Sequence, residues 1–490
     1  MPAPRPLVAV VGGGISGLAA AWRLAHLPDP PRIVVLEAGA GFGGKLAVGE
    51  VGPLPVDLGA ESVLARRPEA VRLIRAAGLG DRLVQPATTR ANVVRDGRLH
   101  PMPAGTLMGV PGRPEVLRGL LTDAEVARVA AEPGRPAEPQ AQDVDVASWV
   151  AARVGRAVVD RLVEPLLGGV YAGHADRLSL RATVPALWGV ARAGGSLLAA
   201  VTAALPAPGA VAAPVFAGLD GGIGRLPEAL AEGLAARGVE LRTRVTVRGL
   251  ERVPGPGARW RLLLGPVPAA LGGTHRDVDA VLLAVPARPA SRLLAGVCPA
   301  AAAELGGIEA ASVAVVAAVV ERPALAGLPG SGVLVPPAEG RAVKAMTFSS
   351  AKWAWVDALD DRLAVVRLSL GRHGEEAVLQ RDDADLAALA VADASALLGR
   401  PLAPVATRVV RWGGSLPQPA VGHVERVERI RAAVAGVPGL AVCGAALDGV
   451  GVPACIAAAD AAVAVLAPAL APPTGGPADG RGPGGVRMGT

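Results

Sequence analysis

Between Leu7 and Glu37 the chain carries a pattern that few folds accommodate. Leu7–Val11 is a short apolar run suited to a buried strand. Gly12, Gly14 and Gly17 follow in G-x-G-x-x-G spacing, and an apolar helical stretch runs on to about Leu27. Ile33–Leu36 is a second apolar run, ending in Glu37. With 64 glycines in 490 residues, glycine spacing alone decides little. Strand before, helix after and an acid at the right distance make it a dinucleotide-binding fingerprint. Gly12 is expected to make the tight turn, Gly14 to admit a pyrophosphate, and Gly17 to let helix and strand pack closely. The first turn of the helix, Ser16 included, offers N–H groups and a positive dipole end to phosphate. Glu37 is placed to bond a ribose.

The loop after Glu37 narrows the cofactor. It reads Glu37-Ala38-Gly39-Ala40-Gly41-Phe42-Gly43-Gly44-Lys45. Paired glycines can lie flat against a cofactor, and Lys45 adds a positive charge near its phosphates. This resembles the flavin amine oxidase superfamily, in which Glu-Ala, a short spacer and Gly-Gly-Arg or Gly-Gly-Lys extend the fingerprint. The resemblance implies non-covalent FAD, held by Gly12, Gly14, Ser16, Gly17, Glu37, Ala38, Gly44 and Lys45. Val56–Ser62 reads as a strand entering a tight turn, which in the resembling flavoproteins passes beside the flavin ring; Gly59, Ala60, Glu61 and Ser62 are its contacts there. The same resemblance puts the Val245 backbone near the adenine. It makes Gly444 and the turn Gly451-Val452-Pro453, which opens the last helix, the cover of the ribityl and ring. Pro453 suits the first turn of a helix.

Composition excludes other classes. Hydrophobic residues make up 51% and charged residues 19%, as in a globular chain. The net charge of +6 comes almost wholly from arginine, since Lys45, Lys344 and Lys352 are the only lysines. No basic stripe with interleaved aromatics occurs, and eleven aromatics leave few platforms for bases, so nucleic acid is not expected. Three cysteines, Cys298, Cys443 and Cys455, form no CxxC pair, which fits a reducing compartment. Cys443 and Cys455 read as core thiols. The six histidines are scattered without metal-ligand spacing, and no metal is expected. Apolar stretches are broken by prolines or charge, so no segment is expected to reach a membrane span. The chain reads as cytoplasmic.

The expected fold is mixed α/β: a Rossmann-like FAD domain of the amine oxidase and p-hydroxybenzoate hydroxylase type, with a β-rich substrate domain and a helical insert. Residues 1–105, 216–286 and 406–470 are assigned to the FAD domain. Residues 106–215 form the insert, 287–405 the substrate domain, and 471–490 a Gly/Pro-rich disordered tail. Within this plan Asp96-Gly97 turns a hairpin, Pro68–Ala77 and Gly224–Arg237 are helices, and Val239–Val247 is one strand. Asp145 caps a helix, and the Pro-rich run Glu132–Pro139 is a surface loop.

The insert narrows the family further. Arg153-Val154-Gly155-Arg156, Glu164-Pro165, Gly169-Val170-Tyr171-Ala172-Gly173 and Leu178-Ser179 resemble the helical domain of the porphyrinogen oxidases of haem biosynthesis. Together with both FAD segments the resemblance spans about residues 7–470. It implies hydride transfer from a methylene bridge to FAD, loss of a pyrrole proton, reoxidation by O2 and release of hydrogen peroxide. The cofactor does the hard step, so no catalytic triad is expected. In this reading Glu61 stands where relatives place Asn or Asp, and it either orients pyrrole N–H groups or is a turn carboxylate near Arg66. Tyr171, the only tyrosine, lines the substrate or, more plainly, is a buried aromatic with a satisfied hydroxyl. Some relatives carry a propionate-gripping Arg after Met-Pro-x-Gly; here the turn is Met102-Pro103-Ala104-Gly105-Thr106. That departure points to the soluble bacterial branch acting on coproporphyrinogen III, with protoporphyrinogen IX as the alternative substrate. Arg66 and Arg67 are its candidate propionate clamp. Weak membrane-surface contact through the insert and hand-over to a ferrochelatase complete the expectations. The rivals are an amine oxidase, a carotenoid desaturase, and a flavin-free binding protein like the GDP-dissociation inhibitors.

Overall fold

The computed structural model describes residues 5–135, 137–206, 214–254, 259–265 and 274–470. The tail expected at 471–490 lies outside the described residues.

The nucleotide fingerprint folds as its pattern dictates. Leu7–Val11 is the middle strand of a five-stranded sheet, flanked by Arg32–Leu36 and Ala280–Leu283, with Glu240–Arg242 and Leu440–Val442 at the edges. Every pairing is parallel. Near-continuous apolar runs are what a sheet covered on both faces requires. One face packs against the helices Ile15–Ala25, Arg225–Ala236 and Val452–Leu470. The other packs against Ala287–Leu294, Pro299–Gly306 and His423–Ala435, with Trp260 and Leu262 of a small antiparallel sheet. In such sheets ligands gather at the carboxyl ends of the strands, and here the glycine loops that follow Val11, Leu36 and Val442 leave from that edge.

A second, seven-stranded sheet carries the long strands Ala310–Glu321, Leu363–Leu370 and Pro404–Pro417, followed by Val343–Phe348, Gly332–Leu334 and the hairpin Asn92–Arg95/Arg98–Pro101. The hairpin turn has Asp96 and Gly97 at φ 52° and 70°, the left-handed pair that a two-residue turn needs. Sheet membership therefore cuts across the expected segments. The hairpin lies before residue 105 and most of Pro404–Pro417 after residue 405, yet both belong to the β-rich layer, while the helices 287–306 cover the nucleotide sheet. The helical insert has its own core, from Val110 to Val201, built on Trp149, Leu162, Leu167, Leu180 and Leu187.

Three local expectations need correcting. The strand expected at Val239–Val247 is two strands, Glu240–Arg242 in the parallel sheet and Val247–Val253 in the antiparallel one, with Arg244 between them at φ 59°. The Pro-rich run is not simply a surface loop: Glu132 is fully buried. Its carboxylate accepts from Arg153 Nε (3.0 Å), Ser196 Oγ (2.7 Å) and the Leu197 N–H (2.8 Å). It thus caps the helix Leu197–Ala204 from across the insert. Finally, Val452–Leu470 is long and apolar enough to cross a membrane by length and composition. In the fold Ala454, Ile456, Ala459, Val463 and Leu466 are buried against the first helix and the nucleotide sheet.

Candidate functional site

Three loops are stitched side by side at the carboxyl edge of the parallel sheet. Gly12 has φ 106°, and a Cβ there would stand 2.5 Å from the Ala284 carbonyl oxygen. Only glycine makes this turn. A Cβ on Gly17 would stand 1.8 Å from the Gly12 carbonyl oxygen, so helix and turn are as close as backbones allow. Gly43 N–H donates to Gly13 O (2.8 Å), and Ala60 N–H to Lys45 O (3.0 Å). Gly59 lies so near Lys45 that a Cβ would meet its carbonyl oxygen at 2.0 Å. The segments Gly12–Ser16, Gly43–Lys45 and Gly59–Ser62 are thereby brought into one cradle.

The cradle is open where a diphosphate would lie. A Cβ on Gly14 would meet nothing within 4 Å. Gly14 is also the N-cap of Ile15–Ala25 and gives it no side-chain cap, so the first N–H groups of that helix are free for an anion. Glu37 accepts from Gly13 N–H (2.7 Å) and Gly39 N–H (2.6 Å); each oxygen keeps a lone pair for a sugar hydroxyl. Ala38 beside it is exposed. The Val245 N–H donates to Glu37 O (2.9 Å), fixing that backbone beside Glu37. Lys45 is half-buried and makes no ion pair among the described residues; burial lowers its pKa. An unpaired, partly desolvated cation beside a free helix N-terminus suits a bound polyanion.

The second segment closes the cradle from the far side of the sheet. Gly444, at φ 130°, ends the strand Leu440–Val442, and Gly449 has φ 110°. Gly451 precedes Val452 and Pro453, both buried in the first turn of the last helix. A Cβ on Gly444 or Gly451 would meet no atom closer than 3.8 Å, so these glycines leave room for a ligand rather than for protein. Ser16 and Cys455 are buried where the first and last helices meet the loops. Burial raises the Cys443 and Cys455 thiols well above the ordinary range, as core cysteines require.

The residues beside the Gly59–Ser62 turn differ from expectation. Glu61 is not paired with Arg66. Its carboxylate accepts from Lys352 Nζ (2.5 Å), an Arg367 terminal nitrogen (2.6 Å) and Ser349 Oγ (3.2 Å). Arg367 also donates to the Gly59 carbonyl. Burial alone would raise Glu61, but Lys352 and then Arg367 outweigh it and hold the carboxyl at about 2. Asp57, at the entry to the turn, goes the other way: burial lifts it to about 7, against the nearby Arg367. One Asp57 oxygen accepts from Ile223 N–H (3.2 Å), and the other has no partner among the described residues. Sequence reasoning missed Lys352, Arg367, Ser349 and Asp57. Lysine scarcity was the available signal for Lys352; nothing local marked the others.

Arg66 is exposed and makes no ion pair among the described residues, whereas Arg67 pairs with Glu69 at 2.8 Å. Both stand between the short strand Val63–Leu64 and the helix Pro68–Ala76. Tyr171 is buried and its pKa is raised by burial. Its hydroxyl takes no hydrogen bond among the described residues, contrary to the satisfied hydroxyl expected. The side chain borders a cavity of about 250 Å³ shared with His423, Arg431, Asp448, Gly449 and Val450, against the second glycine segment.

Comparison with known proteins agrees with this geometry. The family model of the flavin containing amine oxidoreductases matches residues 15–467. The chain belongs to this family. As an amine-oxidoreductase-family flavoprotein it has the expected mixed α/β fold, and its cradle suits the flavin nucleotide that the family carries. Within the family it is similar to coproporphyrinogen III oxidase from Mycobacterium tuberculosis, 40% identical over 465 residues, covering 94% of this chain and 97% of the relative. The coproporphyrinogen III oxidase of Bacillus subtilis is 30% identical over 477 residues, covering 93% and 97%. A crystal structure from Exiguobacterium sp. 255-15 superposes with a TM-score of 0.82 at 31% identity, covering 94% of this chain and 98% of that one.

Proposed function

We propose that this flavoprotein oxidises coproporphyrinogen III to coproporphyrin III in haem biosynthesis, with non-covalent FAD, O2 as the electron acceptor and hydrogen peroxide as by-product. The observation that carries the reading is the extent of the match: relatives bearing that activity's name align along 94% of the chain, helical insert included, not through the cofactor loops alone. Amine oxidases share the fold over the same length, insert included, but at 16% identity, so the fold alone does not favour them.

Bound FAD would supply the two-electron oxidation that no side chain here can perform, repeated three times per macrocycle with one O2 consumed and one hydrogen peroxide released each time. The chain's own residues hold it and present the substrate. In this reading the N-terminus of Ile15–Ala25 and Lys45 take the pyrophosphate, Glu37 takes a ribose hydroxyl, and the Val245 backbone borders the adenine. Gly444 and Gly451–Pro453 cover the ribityl side. Glu61, ionised at any working pH, accepts a hydrogen bond from a pyrrole N–H and so sets the macrocycle's orientation. Arg66 and Arg67 receive propionates at the entrance, and Tyr171 faces the site from the insert. Cys443 and Cys455, kept as protonated thiols by burial, are poor nucleophiles, which supports non-covalent attachment. Reaction in the cytoplasm and delivery of product to a ferrochelatase belong to the same reading.

The test is parallel turnover of coproporphyrinogen III and protoporphyrinogen IX by purified protein, following porphyrin fluorescence and peroxide. Faster oxidation of coproporphyrinogen with stoichiometric peroxide is expected. Preference for protoporphyrinogen would reassign the substrate. A protein that releases no flavin on acid precipitation would overturn non-covalent binding.

A further inference from the structure

Arg367 lies in the middle of Leu363–Leu370, a central strand of the seven-stranded sheet. Val366 and Leu368 on either side of it are fully buried in the apolar core. Val365, which shares its face of the strand, packs with Val56, Leu58 and Trp353. Packing alone would be served by another aliphatic residue, because a guanidinium taken out of water is costly unless its partners compensate. Its compensation comes from one place. The terminal nitrogens reach the Gly59 carbonyl and the Glu61 carboxylate, about 300 residues earlier in the chain. The inner nitrogen Nε is buried without a partner among the described residues.

We propose that Arg367 is a positioning residue: with Lys352 it fixes the Gly59–Ser62 turn and maintains at Glu61 a permanent hydrogen-bond acceptor, not a proton acceptor, at the edge where substrate meets cofactor. The proposal rests on the reading above that this turn borders the flavin ring. The donors facing Glu61 serve that end, while Asp57 is a like charge when ionised and opposes it. Lys352 and Ser349 approach from one short helix, Arg367 from the strand opposite, and Asp57 stands at the entry to the same turn. Lys352 is itself steadied over the rings of Phe216 and Trp353, at 5.8 and 5.3 Å from their centroids. A carboxylate with two cations in hydrogen-bond contact has little affinity for a proton and cannot act as a base near neutrality. It can orient a pyrrole N–H without taking its proton, and its charge stays constant as pH changes.

The experiment uses the FAD-loaded protein and three variants, Arg367→Met, Arg367→Lys and Lys352→Met. Two properties are followed between pH 4.5 and 8: the visible absorption of the bound flavin, and kcat and KM for coproporphyrinogen III. Between pH 4.5 and 6, below the titration of Asp57 near 7, the wild type is expected to show a flat flavin band and no acid limb in kcat. Arg367→Met should introduce a titration of the band with a midpoint between about 4.5 and 6, as a buried carboxylate gives up one of two cations. In the same variant kcat should fall about tenfold across that limb while KM changes less than about threefold. Arg367→Lys should restore the flat profile, since it returns the charge. A folded Arg367→Met protein with full flavin and wild-type profiles in both properties would overturn the proposal, because a merely structural ion pair predicts lower thermal stability and nothing else. Should Arg367→Met fail to fold, Lys352→Met decides the matter by the same two outcomes, as Lys352 is at the partly exposed end of the cluster. Failure of the wild type to oxidise either porphyrinogen would count against the proposed function alone, and the flavin titration would still decide the role of Arg367.

Discussion

Gly14 and Gly17, three residues apart in one motif, are constrained for opposite reasons. An added side chain on Gly17 would collide with the Gly12 backbone, whereas one on Gly14 would extend into open space at the cradle. Gly14→Val is therefore expected to fold to within about 1 kcal/mol of the flavin-free wild type and to purify colourless. Gly17→Val should fail to fold. Thermal melts of flavin-free protein together with the flavin absorbance of purified protein separate the two effects; a yellow Gly14→Val protein would remove that residue from the cofactor site. Glu61 has its own signature in the pH dependence of stability. Its carboxyl sits at about 2 in the folded protein, against 4.5 for the ordinary group. A depressed acid stabilises the fold above its unfolded pKa, and that contribution fades as pH falls from about 4.5 towards 2. Glu61→Gln, which leaves Lys352 and Arg367 without their anion, should be less stable than wild type by about 3 kcal/mol at pH 7. The gap should close below pH 4 as the wild type loses the same term. Chemical denaturation at pH 7 and pH 3 checks it, and a gap independent of pH would show that the pair carries no such linkage.

Among the elements, those with a local code were legible and those completed at a distance were not. The hairpin at Asp96-Gly97, the cap Asp145 whose carboxylate oxygen accepts from Ser148 N–H at 2.7 Å, and the strand–glycine–helix opening follow from residues within a few positions of each other. The break between Glu240–Arg242 and Val247–Val253 does not, because the β-rich run reads as one strand until Arg244 N–H is seen bonded to Gly39 O. Glu132 was misread for the same reason. Its proline-flanked neighbours look like solvent loop, yet its partners Arg153, Ser196, Leu197 and Leu198 come from two other helices. Several hydrogen-bond donors converge there on one buried carboxylate, and its pKa is lowered by them against the opposing effect of burial. Glu132→Ala should therefore cost about 3–5 kcal/mol and lower the Tm of the holo-protein, while the fraction that remains folded keeps wild-type kcat. An unchanged Tm would mean that the capping helix is held by packing alone.

At the scale of the molecule, the glycine cradle was readable because its glycines are clustered in two segments, whereas the charge cluster at the Gly59–Ser62 turn joins Asp57 and Glu61 to Lys352 and Arg367 in the β-rich layer, and no local pattern announces it. Under the proposed function, substrate choice is a matter of the same scale, set by the charge around the substrate entrance. Coproporphyrinogen carries twice as many propionates as protoporphyrinogen, so its recognition calls for additional cations at the entrance. Arg66 and Arg67 are the proposed ones: the strand Val63–Leu64, which leads from Glu61 to them, pairs with Phe216–Ala217, and Phe216 in turn lies under Lys352. The two are not equivalent. Arg67 is committed to Glu69, a half-exposed pair worth about 0–1 kcal/mol, so a propionate can displace it but gains less by doing so. Arg66 has no ion pair to give up among the described residues. Arg66→Ala is therefore expected to raise KM for coproporphyrinogen about tenfold, the loss of one charge-assisted contact at a partly solvated site, and to leave that for protoporphyrinogen within about twofold. Arg67→Ala should do less than Arg66→Ala. Glu69→Gln, by releasing Arg67, should lower KM for coproporphyrinogen. Steady-state kinetics on both substrates at low and high salt check all three, since an entrance clamp weakens with ionic strength. Equal changes for the two porphyrinogens, or none, would place the propionate contacts elsewhere.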